Sequence, residues 1–194
     1  MKTTLYFVRH GHVHNPRNIV YARLPRFRLS EQGCQQAAQA AQILKDVRPA
    51  AIYTSPMLRA RQTAGYIVRE HPELRLRISN LINENYTPFQ GVSFSVLEQR
   101  NWDIFTGVEP PYERPADLLQ RSLRFIAQMR RYYPGQQVIA VTHGDIVRVI
   151  IRWALGYPPE NDGSQVPFPG TGSVSALIFD GPDQERPALE YLSL

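Results

Sequence analysis

Two histidines, two arginines and a glutamate stand along this chain at the ends of strand-like runs. The first run, Lys2 to Val8 (KTTLYFV), stops at Arg9-His10-Gly11. Open α/β sheets bind ligands at the carboxyl edge of their strands, so this junction suits an anion. Arg presents a planar fork of donors to phosphate oxygens, a neutral His offers a nucleophilic nitrogen, and Gly lets backbone approach a ligand closely. The run ending at Thr142 repeats the design: VIAVTHGDIVRVI is an apolar strand, His143-Gly144, then an amphipathic helix whose first amides make a ready anion site. Ser55-Pro56 reads as another helix start, N-cap then N1, which puts Arg59 in the first turn. A cation there adds to the helix's own positive end, a costly arrangement unless an anion is near. Arg61 points elsewhere at this spacing. Glu84 follows the run ending at Leu81 by three residues. Singly, each residue has a structural explanation, such as a turn histidine or a surface glutamate. Their agreement points to one anion site.

The elements that must position these residues alternate from end to end. Strand patterns cover Thr3 to Val8, Ala50 to Thr54, Leu74 to Leu81, Gln137 to Thr142, Val174 to Phe179 and Leu189 to Leu192. Helix patterns fill the gaps. One is capped by Ser30 and runs to about Lys45, with Ala37, Ala41 and Leu44 on one face. The next runs from Ser55-Pro56 to about Glu70. A third runs from Pro115 to about Tyr133, with an inward stripe of Leu119, Leu123, Ile126 and Met129. The fourth runs from Gly144 to about Leu155, with Ile146, Val149, Ile150 and Trp153 inward. This alternation predicts an α/β fold, a three-layer α/β/α sandwich on a mostly parallel sheet. The turn-rich DGPDQERP makes the last two strands an antiparallel pair at the sheet edge. With no internal repeat and no linker, residues 1–194 read as a single domain. Two irregular stretches, Val13 to Leu29 and Asn85 to Pro115, are rich in aromatics, prolines and arginines. Loops of that length in a compact domain are usually functional, and these read as pocket walls.

Composition narrows the classes of function. A chain of 194 residues, 43% hydrophobic, can bury a core without disulfides, and its single Cys34 allows no internal one. No apolar run approaches the ~18 residues of a membrane span. Arg9 and His10 interrupt the amino-terminal stretch too early for a secretory signal. The expectation is a cytoplasmic protein. The formal charge of +5 is carried by arginine, since Lys2 and Lys45 are the only lysines. Arginine suits phosphate or carboxylate oxygens. No basic run or basic-aromatic interleaving points to nucleic acid. A small phosphorylated metabolite is the expected partner, and the chain is a monomer or homodimer.

The ordered set RHG, LSEQGCQQA, SPMLRARQTA, LINENYTPFQG and VTHG resembles the histidine phosphatase superfamily, the phosphoglycerate-mutase-like phosphatases, over almost the whole chain. That resemblance implies that His10 attacks phosphorus to give a phosphohistidine. Arg9, Arg59 and His143 hold the phosphoryl oxygens, and Gly144 lends a backbone amide. Glu84 protonates the leaving oxygen and later activates water. Asn15 would match a polar phosphate contact, one residue short of the commonest spacing, and His12 would line the substrate mouth. No metal or other cofactor is implied.

Physical logic agrees with these roles. A phosphoryl transition state spreads charge over equatorial oxygens, so fixed cations around it do much of the work. His10 must be neutral to attack, and nearby guanidiniums disfavour its protonated form. Glu84 must start protonated, which a partly desolvated setting would favour. His12 and His14 follow His10 at two-residue spacing, but no Asp or Cys joins them to make a metal site and Gly11 breaks the extension. The sequence departs from the family pattern at Thr87, where Gly is frequent, and at Tyr21 to Arg28, which lacks the usual Gly and Asp.

The leading reading is a metal-independent phosphomonoesterase. One rival is a bisphosphoglycerate-dependent phosphoglycerate mutase, disfavoured because the segment from Glu84 to Pro115 is short and lacks a basic run. The other is a catalytically silent phospho-ligand binding module, disfavoured because His10 and Glu84 are both present. Tyr86, Phe89, Phe94, Trp102, Phe105 and Tyr112 either receive an apolar or ring-bearing leaving group or pack their loop against the core. Sugar phosphates, a nucleotide-like monoester such as α-ribazole phosphate, and broad small-molecule use all remain open.

Overall fold

The computed structural model describes residues 1–160 and 166–193. Its strands are β1 (Thr3–Arg9), β2 (Pro49–Thr54), β3 (Leu76–Ile78), β4 (Gln137–Thr142), β5 (Val174–Phe179) and β6 (Ala188–Leu192), in the sheet order β3-β2-β4-β1-β5-β6. β3, β2, β4 and β1 pair in parallel, β5 runs against β1, and β6 runs against β5 at the edge. The helices are α1 (Glu31–Leu44), α2 (Leu58–Glu70), α3 (Phe94–Gln99), α4 (Pro115–Tyr132) and α5 (Gly144–Ala154).

Alternation along the strands explains why helices cover both faces. On β1, Leu5 and Phe7 enter one core while Tyr6 and Val8 enter the other. Val138 and Ala140 oppose Ile139 and Val141 on β4 in the same way. A sheet apolar on both faces must be buried on both. Ala40, Ala41 and Leu44 of α1, with Ala60, Ala64 and Ile67 of α2, close one side. Leu118, Phe125 and Met129 of α4, with Ile146 and Ile150 of α5, close the other. The result is an α/β sandwich in three layers. No helix among the described residues is long and apolar enough to cross a membrane.

Four local expectations need correction. The third strand spans only Leu76–Ile78, because a short 3₁₀ turn, Asn80–Ile82, ends it before Leu81. α2 starts at Leu58 with Met57 as its N-cap, so Ser55 and Pro56 lie outside the helix. The inward face of α4 is turned from the expected stripe. Leu118, Ser122, Phe125 and Met129 are buried, while Leu119 and Leu123 only pack at the margin. The stretch from Asn85 to Pro115 also contains α3, capped by Ser93, whose side chain accepts from the Ser95 amide. The Ser30 cap of α1 is as expected, accepting from Gly33 at 3.1 Å.

Candidate active site

Parallel register brings the two His-Gly strand ends together. Arg9 of β1 lies opposite Thr142 of β4, so His10 and His143 follow as neighbours. The His10 amide donates to the Thr142 carbonyl at 2.9 Å, and the two imidazoles meet edge to face with centroids 5.2 Å apart. The β2 strand ends alongside, where the Ser55 amide donates to the Val141 carbonyl at 2.9 Å.

His10 is only 2% exposed. Its Nδ1 lies 2.8 Å from the Gly11 carbonyl, and Arg59 Nε donates to its Nε2 at 3.1 Å. Those partners assign the ring proton to Nδ1 and leave the lone pair on Nε2. Burial, then the Arg59 guanidinium with His143 beside it, hold the His10 pKa well below the usual histidine value. His10 is therefore a neutral imidazole at neutral pH.

Arg59, 1% exposed, is the hub of the site. Besides His10, its Nη2 donates to the Ala22 carbonyl at 2.9 Å and to Glu84 Oε2 at 2.8 Å, and lies 3.2 Å from His143 Nδ1. The Tyr21 ring stacks on the guanidinium at 4.7 Å. The anion required by a cation in the first turn of α2 is thus Glu84, which is itself nearly buried.

His143 Nδ1 stands 3.1 Å from Glu84 Oε2, and its Nε2 is 2.6 Å from Ser55 Oγ. Burial lowers the His143 pKa to about 4 against the pull of Glu84, so His143 is neutral at neutral pH. Glu84 departs from the sequence expectation. Burial pushes its carboxyl up, but His143, Arg59 and His10 outweigh burial and hold it well below the ordinary carboxylate value. It is a carboxylate at neutral pH, held by the Arg59 fork.

Arg9 completes the cradle. Its Nη1 donates to the Pro169 carbonyl, its guanidinium lies 4.9 Å over the Phe168 ring, and its buried Nε has no hydrogen-bond partner. A buried donor left unmade costs about 1–3 kcal/mol. Gly144, first residue of α5, carries one of the amides that a helix leaves without an internal acceptor. A Cβ there would meet the Phe168 ring at 2.5 Å and Arg9 Nε at 3.0 Å.

Arg9, His10, Glu84 and Gly144 form the floor of a cavity of about 1100 Å³, with Arg59 and His143 buried behind them. Its walls come from both irregular stretches, through Val20, Tyr21 and Ala22 on one side and Asn85, Phe94, Leu97, Trp102 and Phe105 on the other. The stretches are zipped together, Val20 donating to the Val92 carbonyl and Gly91 to the Val20 carbonyl, both at 2.8 Å. The aromatic set divides. Phe94, Trp102 and Phe105 line the cavity, whereas Tyr86 lies tilted against Tyr112 and Phe89 lies against Arg100.

Two sequence candidates lie elsewhere. Asn15 turns back on its own loop, its amide donating to the Ile19 carbonyl at 2.9 Å, and it does not line the cavity. His12 is exposed, with Nδ1 2.8 Å from Ser30 Oγ at the start of α1. His14 is exposed as well, so the three histidines share no face. The glycine of Arg9-His10-Gly11 also has another purpose than access to ligand. A Cβ on Gly11 would stand 2.3 Å from the Gly33 carbonyl oxygen, and one on Gly33 would stand 1.9 Å from the His12 carbonyl oxygen. The two glycines let the segment carrying His10 lie directly on α1, while the Gly11 amide donates to Thr63 Oγ1 at 3.1 Å. Gly11→Ala should therefore force backbone apart at a cost of about 1–3 kcal/mol. Calorimetry should show Tm lower by roughly 2–12 °C, with lost turnover. A native Tm would remove this explanation.

Sequence reading missed three supports. Ser55 bonds His143 and, at 3.3 Å, donates to Asn83 Oδ1, which accepts the Glu84 amide at 2.8 Å. Tyr21 roofs Arg59. Glu113 joins Arg23 at 2.8 Å and Arg121 at 2.7 Å, and both arginines donate to the Glu84 carbonyl, at 2.8 and 3.1 Å. That clamp holds the main chain of Glu84 from behind. Ligand atoms of His10, Glu84 and His143 lie within 4.8 Å of one another, as a metal site would need. Arg59 bonds all three and so brings its own positive charge to the place of an ion.

The model of the histidine phosphatase superfamily (branch 1) matches residues 5–189 of this chain. Uncharacterized protein Rv0525 of Mycobacterium tuberculosis (strain ATCC 25618 / H37Rv) is 31% identical over 187 residues, 93% of this chain and 92% of that protein. The metal-independent phosphoserine phosphatase of Arabidopsis thaliana is 30% identical over 134 residues, 63% of this chain and 56% of that protein. Among solved structures, the mycobacterial glucosyl-3-phosphoglycerate phosphatase Rv2419c matches with a TM-score of 0.80 at 23% identity, over 98% of this chain and 97% of that one. At that identity the likeness concerns the fold.

Proposed function

Because this chain belongs to the histidine phosphatase superfamily, we propose that it hydrolyses small phosphomonoesters without a metal, through a phosphohistidine on His10 and with Glu84 as proton donor. The observation that carries this reading is the convergence on His10 Nε2. A neutral nitrogen with its lone pair turned inward accepts from Arg59 and lies beside His143, and Arg9, whose Nε has no partner, lines the same cavity.

In the first step Nε2 forms a bond to phosphorus, the ester P–O bond breaks, and the leaving oxygen takes a proton from Glu84. In the second, Glu84 takes a proton from water, the resulting oxygen bonds phosphorus, and the P–N bond breaks to return neutral His10 and inorganic phosphate. The arginines face the equatorial oxygens, where charge accumulates.

Glu84 has to gain its proton when substrate arrives. A phosphoryl dianion draws Arg59 away from the carboxylate and adds negative charge nearby, and both effects raise the Glu84 pKa. Binding an oxyanion should thus take up about one proton, so affinity falls by up to about tenfold per pH unit as pH rises. Sulfate is the clean probe because it carries no proton of its own near neutrality. Calorimetry in buffers of different ionisation enthalpy should register that uptake with the native protein and not with Glu84→Gln. Equal uptake in both would move the proton to another group.

Assays of p-nitrophenyl phosphate hydrolysis beside isomerisation of 3-phosphoglycerate test the reaction itself. Phosphate release should dominate. Isomerisation outpacing release would make the chain a mutase, and binding without turnover or covalent phosphate would leave a binding module.

A further inference from the structure

His143 is held from behind, away from the cavity. Its Nε2 lies 2.6 Å from Ser55 Oγ, and Ser55 is fully buried and does not line the cavity. A serine hydroxyl offers one hydrogen and two lone pairs. The hydrogen goes to Asn83 Oδ1 at 3.3 Å, an oxygen fixed in place because it also accepts the Glu84 amide at 2.8 Å. The Met57 amide donates to one lone pair at 3.3 Å, which leaves the other for His143. Nε2 is therefore the donor in that bond and carries the ring proton. His143 Nδ1 is then bare. It accepts from Arg59 Nη2 at 3.2 Å and faces Glu84 Oε2 at 3.1 Å. Two acceptors at that separation lack only the hydrogen between them.

A proton placed there strands no donor, since Nδ1–H points at Glu84 and Nε2–H already has Ser55. The other titratable and charged groups acting on the pair are Arg59 of α2, Arg9 and His10 at the end of β1, Tyr21 and Arg23 in the loop after it, Arg121 of α4 and Asp145 of α5. None of them is a hydrogen-bond partner of Nε2 among the described residues. We propose that Ser55 is a positioning residue for the proton of the reaction: backed by Asn83, it keeps His143 protonated at Nε2 and so turns Nδ1 into a seat that shares a proton with Glu84. The assignment rests on the phosphatase reading above and adds the residue that sets its proton. When a phosphoryl group draws Arg59 away, one proton from solvent enters between Nδ1 and Oε2. It passes to the ester oxygen as the P–O bond breaks, and the attacking water replaces it in the second step. Without the hydroxyl, Nε2–H would be buried with no acceptor. The ring would then move its own hydrogen to Nδ1, fill the seat, and bind the extra proton less readily.

Ser55→Ala, assayed with two leaving groups, tests it. An alcohol must be protonated as it departs, whereas p-nitrophenolate leaves without a proton. At neutral pH the variant should lose about 10- to 100-fold in kcat on glycerol 1-phosphate, the worth of one hydrogen bond to a charged group. KM should stay near native, and p-nitrophenyl phosphate should be turned over at nearly the native rate. Activity that needs the shared proton falls as pH rises, so the alkaline limb of kcat on glycerol 1-phosphate should move about one to two units lower. Equal losses on both esters with the limb unmoved would overturn the proposal, because that is how a merely structural serine behaves. Nitrogen-15 NMR of labelled histidine gives a second measurement, on the native protein, that needs no variant to fold. At neutral pH His143 should show a protonated Nε2 and a bare Nδ1, and a ring protonated on Nδ1 instead would also overturn the proposal. Covalent phosphate on the native protein separates the two readings. Its formation beside either overturning result sinks only the role of Ser55, and its absence with both esters sinks the phosphatase mechanism beneath it.

Discussion

His10→Ala should lose turnover by a factor on the order of 10⁵ or more and should yield no acid-labile phosphate on the protein. The size of the loss follows from the absence of a substitute. His143 is the nearest imidazole, but its Nε2 is engaged by Ser55 at 2.6 Å and its Nδ1 faces Glu84 and Arg59. His12 and His14 are exposed and away from the cavity. Without Nε2 the phosphoryl group would have to pass directly to water, which the residual cradle accelerates only in part. The measurement is single-turnover quench at alkaline pH, with mass spectrometry for the phosphorylated peptide. Added imidazole should restore some rate, because the vacated ring space adjoins the cradle. Native-like covalent phosphate in the variant would take His10 out of its role and place the nucleophile elsewhere.

How far the site was legible from residues alone can be judged on these same groups. His10 and His143 each close an apolar run, and two such strand ends become neighbours once the strands are parallel and adjacent. That inference needed only period and polarity, and the Arg9–Thr142 register bears it out. Arg59 was legible because a cation in a helix's first turn demands an anion. Its partner, Glu84, was not legible, and with it went the ionisation state of that carboxyl. Nothing in a linear sequence separates a glutamate buried alone from one buried beside a guanidinium. Ser55 misled for a related reason, since serine before proline carries the same signature whether it caps a helix or bonds a histidine 88 positions away. Asn15 was expected to match a phosphate contact of the family and His12 to line the substrate mouth, yet the contact of Gly11 with Gly33 carries the backbone past α1 and away from the cavity. The clamp of Arg23, Glu113 and Arg121 joins residues from both long stretches and α4, where no period exists to be read.

Arg59→Ala should lower kcat by on the order of 10³ or more, beyond the 10²–10³ typical of losing one stabilising donor. The excess arises because one guanidinium serves several groups at once. It orients His10 through Nε, anchors the loop bearing Tyr21 through the Ala22 carbonyl, and offsets the charge of Glu84. Removing it leaves the Glu84 carboxylate buried without its ion-pair partner, a change that costs about 3 kcal/mol when the other charge stays. Tm should then fall by roughly 6–12 °C. Part of that loss is relieved as Glu84, no longer held down by Arg59, takes up a proton. Pairing the change with Glu84→Gln separates the two effects. The double variant should recover most of the lost Tm and none of the lost rate, because the charge is gone while the cradle remains open. Arg59→Lys should recover stability more than turnover, since a single ammonium cannot span His10, Glu84 and Ala22 as the planar fork does. A rate within tenfold of native for Arg59→Ala would show that Arg59 only balances Glu84, and the phosphoryl oxygens would then depend on Arg9, His143 and the first amides of α5.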